Sequence, residues 1–361
     1  MIRKILEQLL FVGFVLAATV GLMEIGSRFL FPEWAPVSSD RSFWTYDPVL
    51  GWSGLPHSQG RFEYIDFSTS VSINSAGLRD SEYPIQRVPG KRRMLLLADS
   101  FGWGFGVEHD EIWAERIEAN NQGWEIINAS VSGYGTDQEF LYYQERGRLY
   151  EPDVVLLLFW GWNDFQNSSG PVQYWHNKPF FELSGDGLEL KGVPVPPASW
   201  TQKAANYISG NTYFLRTLSS WIREGLSTSG AAASRPKNED AELESGEVRS
   251  EEPIPAGELT DDEERVVRLI LELNQAVRDD GARLIVIYTR GRSQIFSEPR
   301  LVEAGLALFS LENVFRETKK KVFFEHDGHW TAEGHRIVAE AAQAHLVKIG
   351  LFGSQGSKIE P

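Results

Sequence analysis

The sequence contains no cysteine and no block of basic residues, and each absence excludes a class of function. Without cysteine the chain forms no disulfide and has no thiolate to act as a nucleophile or a metal ligand. The formal net charge is −15, so the phosphate backbone of a nucleic acid would be repelled. No pair of histidines has zinc-like spacing near a carboxylate, and we therefore expect neither a metal nor another cofactor.

Tryptophan is abundant, with 12 residues in a chain of 361. Most such rings pack in a core or on a surface, but flat rings also stack on sugars or line a surface that binds acyl groups. Length and a hydrophobic content of 42% allow a real core, in one large domain or two small ones.

The longest apolar run lies at the N-terminus. Arg3 and Lys4 precede a stretch over residues 5–23 with only two polar interruptions, which is about the length needed to cross a bilayer. Basic residues before such a stretch favour a cytoplasmic N-terminus and an exported remainder. We expect residues 1–33 to anchor a periplasmic or otherwise extracytoplasmic protein in the membrane. A cleaved signal peptide and a buried amphipathic helix are the alternatives.

Further along the chain, near-continuous apolar runs are typical of strands buried on both faces of a parallel sheet. They are RMLLLAD (93–99), EIINAS (125–130), DVVLLLF (153–159), RLIVIYT (283–289) and KVFFEHD (321–327). Helical segments lie between them, with capping boxes expected at Thr136–Glu139 and Thr260–Glu263 and a last helix over 331–347. This alternation predicts an α/β fold, a three-layer α/β/α sandwich around a doubly wound parallel sheet of about five strands.

Composition divides the remaining chain. Residues 34–91 mix aromatic, glycine and proline residues with partial alternation, which predicts a β-rich lead-in packed on a core domain over 92–348. Residues 170–205 are rich in proline, glycine and aromatics, as in an ordered loop near a site. Residues 225–258 contain almost no large apolar side chain and are expected to form a disordered acidic insertion. Residues 349–361 are read as a tail.

Ligands of open α/β sheets bind outside the carboxyl ends of the strands, so the residues at those ends are informative. The first predicted strand ends at Asp99 and Ser100, in a loop where glycine recurs at every second position. Serine is a weak nucleophile unless a base accepts its proton. The best candidate base is His329, and the carboxylate of Asp327, two residues earlier, could fix its tautomer and stabilise the imidazolium.

Donors for an oxyanion are expected after the second and third strands. The backbone N–H of Gly133 and the side-chain amide of Asn163 could serve. Each candidate also has an ordinary structural role: Ser100 as a helix cap, Asn163 in a turn, Asp327 as a cap of the last helix. His335 is expected to be structural, and surface or scaffold positions are expected for the remaining histidines, His57, His109, His176, His326 and His345.

Four of these segments together resemble the SGNH hydrolase family of GDSL esterases and acyltransferases. They are LLLADSFGWGFGV (95–107), INASVSGYGTDQE (127–139), GWND (161–164) and DGHWTAEGH (327–335). The resemblance spans roughly residues 92–165 and 280–345 and implies the flavodoxin-like order of that family's sheet. It further implies Ser100 as the nucleophile, Asp327 and His329 as the rest of a triad, and Gly133 and Asn163 as the oxyanion donors.

Two departures from the family pattern are informative. Ala98 stands where the family has glycine, and we expect only slightly tighter packing beside the nucleophile. The last block reads Asp-x-His instead of Asp-x-x-His, which resembles membrane-linked polysaccharide O-acetyltransferases. The upstream segments YDPVLGW (46–52) and INSAGLRDSEYP (73–84) resemble the lead-in of bacterial membrane-anchored SGNH proteins.

The function expected from this resemblance is an extracytoplasmic serine esterase that removes a small acyl group, acetyl above all, from a glycan or a similar ester. One alternative is an O-acyltransferase in which a sugar hydroxyl replaces water and a membrane protein delivers the acyl donor. Another is a non-catalytic glycan-binding relative. A long-chain lipase would need an apolar groove, which aromatic residues of the 170–205 region could supply: Trp175, Phe180, Phe181 and Trp200.

Overall fold

The computed structural model describes residues 2–32, 35–39, 42–161, 163–218, 259–289, 293–318 and 320–353. The acidic segment expected at 225–258 lies outside these residues. The strands are β1 (Ser38–Ser39), β2 (Trp44–Asp47), β3 (Gly51–Gly54), β4 (Gln59–Tyr64), β5 (Phe67–Ser72), β6 (Arg92–Leu97), β7 (Trp124–Asn128), β8 (Val154–Phe159), β9 (Val172–Gln173), β10 (His176–Asn177), β11 (Phe180–Ser184), β12 (Gly187–Lys191), β13 (Arg283–Tyr288) and β14 (Ala307–Ser310). The α-helices are α1 (Ile2–Leu30), α2 (Ser100–Trp103), α3 (Trp113–Ala119), α4 (Thr136–Glu145), α5 (Asp164–Asn167), α6 (Trp200–Asn211), α7 (Asp261–Asp279), α8 (Pro299–Glu303), α9 (Glu312–Glu317) and α10 (Ala332–Lys348).

Helix α1 is long and apolar, and almost all of its surface is exposed in the isolated chain. Residues Arg3–Leu30 have a mean hydropathy of 2.1 in their most apolar part. By length and composition alone, α1 is therefore a candidate membrane span or signal sequence.

The central sheet has five parallel strands in the order β14-β13-β8-β6-β7. The predicted doubly wound α/β sandwich is therefore confirmed. Strand β6 comes first in this sheet and lies between β7 and β8, so successive strands are added first on one side of it and then on the other. This is the flavodoxin-like order, and its switch point lies at the carboxyl ends of β6 and β8.

Helices cover both faces of the sheet because its side chains alternate between two cores. Met94 and Leu96 of β6 pack toward α3 and α10, whereas Leu95 and Leu97 pack toward α4 and α7. All six residues of β8 are buried, as expected for a central strand of a parallel sheet. The capping box predicted at Thr260 is present at the start of α7.

Two sequence predictions were wrong. Residues 321–327 form no strand of the sheet, only a bridge between Phe323 and Trp330, and the fifth strand is β14. Strand β14 is four residues long, half-buried and at the sheet edge, so it lacks the continuous apolar run of a central strand. The box expected at Thr136 is also absent, because Gly135 is the N-cap of α4.

The lead-in forms small antiparallel sheets, β1-β4-β5 and β2-β3. Alternation along β5 turns Phe67, Thr69 and Val71 inward. Aromatic residues of the lead-in cluster with Trp103, which follows the proposed nucleophile closely in the chain. Strands β4 and β5 therefore pack directly against the segment that carries Ser100.

Candidate active site

Ser100 is the first residue of α2, immediately beyond the carboxyl end of β6. The Asp99 carboxylate caps this helix by accepting a hydrogen bond of 2.9 Å from the backbone N–H of Phe101. A short helix directly after a buried strand forces a sharp change of direction. This turn places the serine side chain at the edge of the sheet where ligands of such folds bind.

The glycines after Ser100 are explained by close packing rather than by open space. A Cβ at Gly102 would lie 2.2 Å from the Ser130 Oγ and 2.5 Å from the Ala98 Cβ. Gly104 and Gly106 have φ values of 83° and 84°, which favour glycine. The absence of a side chain at Gly102 therefore lets the segment that follows Ser100 pack tightly against the loop that follows β7.

Ser100, His329 and Asp327 form a continuous hydrogen-bonded chain. The Ser100 hydroxyl lies 2.7 Å from His329 Nε2, although 229 residues separate them in sequence. On the other side of the imidazole, Nδ1 contacts Asp327 Oδ1. With Nδ1 protonated and donating to the carboxylate, Nε2 is left to accept the serine proton.

Aromatic rings hold the imidazole of His329 in place. The Phe105 ring stacks on it with centroids 4.2 Å apart, and the Phe101 ring lies 4.8 Å away. Both rings come from the segment that follows Ser100. The imidazole is therefore oriented by the same segment that carries Ser100, which reduces the freedom of both side chains.

The two residues predicted to donate to an oxyanion lie in the loops after β7 and β8. Gly133 has a φ of 85°, and the position of a Cβ there would be 3.0 Å from the Tyr174 ring. Its loop is held near β6 by a 3.0 Å hydrogen bond from the Val131 N–H to the Ala98 carbonyl. The Asn163 side-chain amide donates to Asp99 Oδ2 at 2.9 Å. Asn163 is thus joined to the residue that precedes Ser100.

Three carboxyl groups near this site are buried, which the sequence did not predict: Asp99, Glu139 and Asp164. Burial raises the pKa of all three, and their mutual repulsion adds to the increase for Glu139 and Asp164. A hydrogen bond from Asn163 partly offsets the effect of burial on the Asp99 pKa. Each acid lies inside one of the segments DSFGWGF, TDQE and GWND, so the signal was present but could also be read as ordinary turn or capping residues.

A buried ion pair fixes the 170–205 region to α4. The Lys178 ammonium donates to the Asp137 carboxylate, and neither side chain is exposed. Burial lowers the pKa of Lys178, and the carboxylate of Asp137 opposes that shift. Strands β9 and β10 directly precede Lys178, so this pair anchors the hairpin whose tip covers Gly133.

Arg79 of the lead-in is buried against the nucleophile segment. Its guanidinium donates to the carbonyls of Trp103, Gly104 and Val107, and it lies over the Trp103 ring at 4.7 Å. Burial lowers its pKa to about 10, so it remains a cation at neutral pH. The lead-in therefore positions the loop that carries Phe105.

Among the histidines other than His329, the largest pKa change is that of His335. Its Nδ1 accepts a 3.3 Å hydrogen bond from the Trp113 N–H, and burial lowers its pKa to about 3. It is neutral at physiological pH and holds α10 against α3. This environment agrees with the structural role expected from the sequence.

One group among the described residues could hold a metal ion: Asp80, His109 and Glu115. Asp80 already accepts hydrogen bonds from the N–H groups of Ser81 and Asn128. Burial raises the pKa of Glu115 to about 8, and Glu115 hydrogen-bonds to Asp80. The buried carboxyl group of Asp80 and the partly buried one of Glu115 are therefore close enough to share a proton.

No protein-family model and no curated protein matches the sequence. Solved structures with similar folds include acetyl xylan esterase AlAXEase, with 10% identity and a TM-score of 0.38 over 70% of this chain and 99% of that one. A G-D-S-L lipolytic family member from Veillonella parvula has 10% identity and a TM-score of 0.37 over 72% and 100%. A catalytic mutant of Axe2, an acetylxylan esterase from Geobacillus stearothermophilus, has 12% identity and a TM-score of 0.36 over 73% and 97%. All three TM-scores are below 0.5, so the function proposed below depends on the geometry of the site itself.

Proposed function

We propose that this chain is a serine esterase of the SGNH hydrolase family that acts through Ser100, His329 and Asp327. The observation that supports it is the hydrogen-bonded chain from the serine hydroxyl through the imidazole to the carboxylate. Its three members come from opposite halves of the sequence and meet outside the carboxyl end of β6. A serine with a bound base and an oriented carboxylate is the arrangement required for acyl transfer.

In the proposed reaction, Ser100 Oγ attacks the ester carbonyl while His329 Nε2 accepts the serine proton. Asp327 stabilises the resulting imidazolium. The tetrahedral intermediate collapses, and the imidazolium gives its proton to the leaving alkoxide. Water, activated by the same imidazole, then attacks the acyl-enzyme, and the acid and free Ser100 are released.

Gly133 and Asn163 are proposed to stabilise the oxyanion. A side-chain amide has two N–H donors, and Asn163 uses one of them on Asp99. That bond orients the amide and leaves the second N–H available for the substrate oxygen. The backbone N–H of Gly133 would donate from the opposite loop.

We propose a short acyl group, acetyl above all, carried on a glycan or a similar alcohol. Phe101 stacks on Trp160 with centroids 3.7 Å apart, and Trp330 packs against both rings beside the base. Bulky rings packed this closely beside Ser100 and His329 would suit a short acyl group better than a long chain. On the alcohol side, the exposed Tyr174 lies against Gly133 and the exposed Trp175 follows it in the same turn, and such rings suit the apolar face of a sugar.

Transfer of the acyl group to a sugar hydroxyl is the second candidate reaction, and helix α1 favours it. A protein held in the membrane could receive an acyl group from a membrane partner that supplies the donor. We propose residues 1–33 as the anchor, with a cytoplasmic N-terminus. The lead-in (34–91) and the domain over 92–348 would then lie outside the cytoplasm.

The test is hydrolysis of p-nitrophenyl acetate, butyrate and octanoate by the detergent-solubilised full chain. Ser100→Ala should abolish hydrolysis of acetate, whereas Ser130→Ala, the same change at the neighbouring strand end, should retain most of it. Oligosaccharides added as acceptors would reveal transferase activity as acetylated sugar in mass spectra. A folded protein without hydrolysis or transfer, or a Ser100→Ala variant with the full rate, would contradict the proposal and favour a glycan-binding relative.

A further inference from the structure

Helix α6 turns its polar side toward the protein and its apolar side outward. On the inner side, Gln202 Nε2 donates to Asn177 Oδ1 at 2.7 Å, and Asn206 Nδ2 lies 3.2 Å from His176 Nε2. On the outer side, Trp200 is 81% exposed and Tyr207 is 70% exposed. An amphipathic helix on a water-soluble surface has the opposite orientation.

The outward apolar residues form one continuous stripe. Positions 200, 204, 207 and 208 follow the i, i+4, i+7, i+8 spacing of a single helix face. Trp200, Ala204, Tyr207 and Ile208 occupy it, with Lys203 beside them, and all five are exposed. An exposed aromatic residue by itself would need no explanation, but an apolar stripe over more than two turns marks an interaction surface.

The end of α6 is attached to the end of α1. The Glu24 carboxylate accepts hydrogen bonds of 2.9 Å from the backbone N–H groups of both Tyr213 and Phe214. Arg28 donates to the Asn211 carbonyl at 3.3 Å and lies over the Tyr213 ring at 5.1 Å. The last turns of α1 therefore hold the segment that directly follows α6.

These contacts set the level of α6 relative to a membrane crossed by α1. Residues 5–23 would extend over about 28 Å as a helix, close to the hydrocarbon thickness of about 30 Å. Glu24 and Arg28 follow that stretch and would lie at the boundary with water. Asn211, bonded to Arg28, places the C-terminal end of α6 at the same boundary.

The charge of the surrounding segment suits anionic lipid headgroups. From Gly192 to Thr217 the chain has two basic residues, Lys203 and Arg216, and no acidic one, although its net charge is −15. Tryptophan and tyrosine are enriched at membrane interfaces, and basic residues are attracted to anionic lipids. Composition and position thus both indicate that the stripe contacts lipid headgroups.

We propose that the outward face of α6 lies in the headgroup region of the membrane that α1 crosses. This inference depends on the proposed anchoring by α1 and is independent of the esterase reaction. The inner face of α6 contacts the β9-β10 hairpin, and Tyr174 of that hairpin lies against Gly133. Contact with the bilayer would therefore fix the orientation of the active site relative to the membrane surface.

The absence of cysteine permits a direct test with single labels on the full chain. Ala204→Cys and Tyr207→Cys place a bimane label on the outward face, and Val302→Cys places it on exposed α8, on a different part of the surface. Phe14→Cys marks the middle of α1. The variants are reconstituted in vesicles of phosphatidylcholine with one quarter phosphatidylglycerol, with doxyl quenchers attached near the headgroup or deep in the acyl chain.

We expect the shallow quencher to reduce bimane fluorescence severalfold more at 204 and 207 than at 302, and the deep quencher to act at 14. If the label at 14 is quenched but the labels at 204 and 207 are quenched no more than the label at 302, α1 crosses the membrane and the proposed role of α6 is wrong. A label at 207 that is shielded from water but unquenched by lipid would identify a protein partner and also overturn it. Absence of quenching at 14 would show that α1 does not cross the membrane, and it would contradict the proposal for α6 as well. Hydrolysis of p-nitrophenyl acetate by the same preparations tests the esterase separately.

Discussion

The side-chain amide of Asn163 donates a 2.9 Å hydrogen bond to Asp99, the residue that immediately precedes Ser100. Asp99 also accepts from the Phe101 N–H, so one buried carboxylate connects the helix that carries Ser100 to the proposed oxyanion donor. The loops after β6 and β8 are thereby fixed to one another. Asp99 is a positioning residue in this arrangement, since it acts on the substrate only through its neighbours.

Asn163→Ala should lower kcat for p-nitrophenyl acetate by about 100-fold, the usual cost of losing one oxyanion donor, with little change in KM. Asp99→Asn should lower kcat less, because the amide of Asn163 is misoriented but still present. The double variant should lose about as much as Asn163→Ala alone, since both changes affect one donor. Additive losses in the steady-state kinetics of the three variants would show that Asp99 does not act through Asn163.

The buried carboxyl group of Glu139 makes folding depend on pH. Its pKa is raised in the folded chain by burial and by the charges of Asp99 and Asp137. Between the ordinary pKa of a glutamate and this raised value, the folded chain binds more protons than the unfolded one, so stability falls as pH rises. Glu139→Gln keeps the shape without the acid.

We therefore expect Glu139→Gln to increase the free energy of unfolding at pH 8 by about 1 kcal/mol or more, with a smaller gain at pH 5. Urea denaturation at the two pH values measures the difference. The exposed Glu189→Gln provides the control and should leave the pH dependence unchanged. A Glu139→Gln variant with the pH dependence of the original chain would contradict this assignment.

Arg79 is expected to stabilise the fold by holding the segment that follows Ser100 in place. Arg79→Lys should reduce the free energy of unfolding by about 3 kcal/mol, because an ammonium cannot reach the carbonyls of Trp103, Gly104 and Val107 together. Arg92→Lys, which changes an exposed guanidinium over the Trp124 ring, should cost less than about 1 kcal/mol. If urea denaturation shows that both variants lose the same free energy of unfolding, the branched guanidinium of Arg79 is not required.

Ser100 could be predicted from its place after a strand, whereas Asp327 and His329 lie in a loop that the sequence suggests as a strand. Ser100, Asp327 and His329 follow from the need for a nucleophile, a base and an orienting acid, and the structure brings them together. Four strands of the central sheet, β6, β7, β8 and β13, could be predicted because they are apolar runs. The fifth, β14, is short and half-buried, whereas Phe323 and Phe324 give a loop the apolar pattern of a strand. The roles of Arg79 and Lys178 depend on contacts between distant segments, which no local pattern encodes.

The hairpin that covers Gly133 combines local strain with exposed aromatic rings. Tyr174 and Trp175 both have positive φ values, 47° and 62°, at the turn between β9 and β10. A two-residue turn of this kind favours Asn-Gly, and bulky residues there are strained. Residues held in such conformations at a candidate site point to a role for their side chains.

Replacing Tyr174-Trp175 by Asn-Gly should therefore stabilise the chain by about 1 kcal/mol while it weakens binding of a glycan ester. We expect KM for an acetylated oligosaccharide to rise about 10-fold or more, since two rings that would stack on the sugar are lost. The kcat for p-nitrophenyl acetate should change less, because that small ester needs no sugar platform. The exposed turn at Gly185, changed to Asn, provides a control that should alter neither constant. An unchanged KM for the oligosaccharide would remove these rings from substrate binding and leave their strained backbone without a functional explanation.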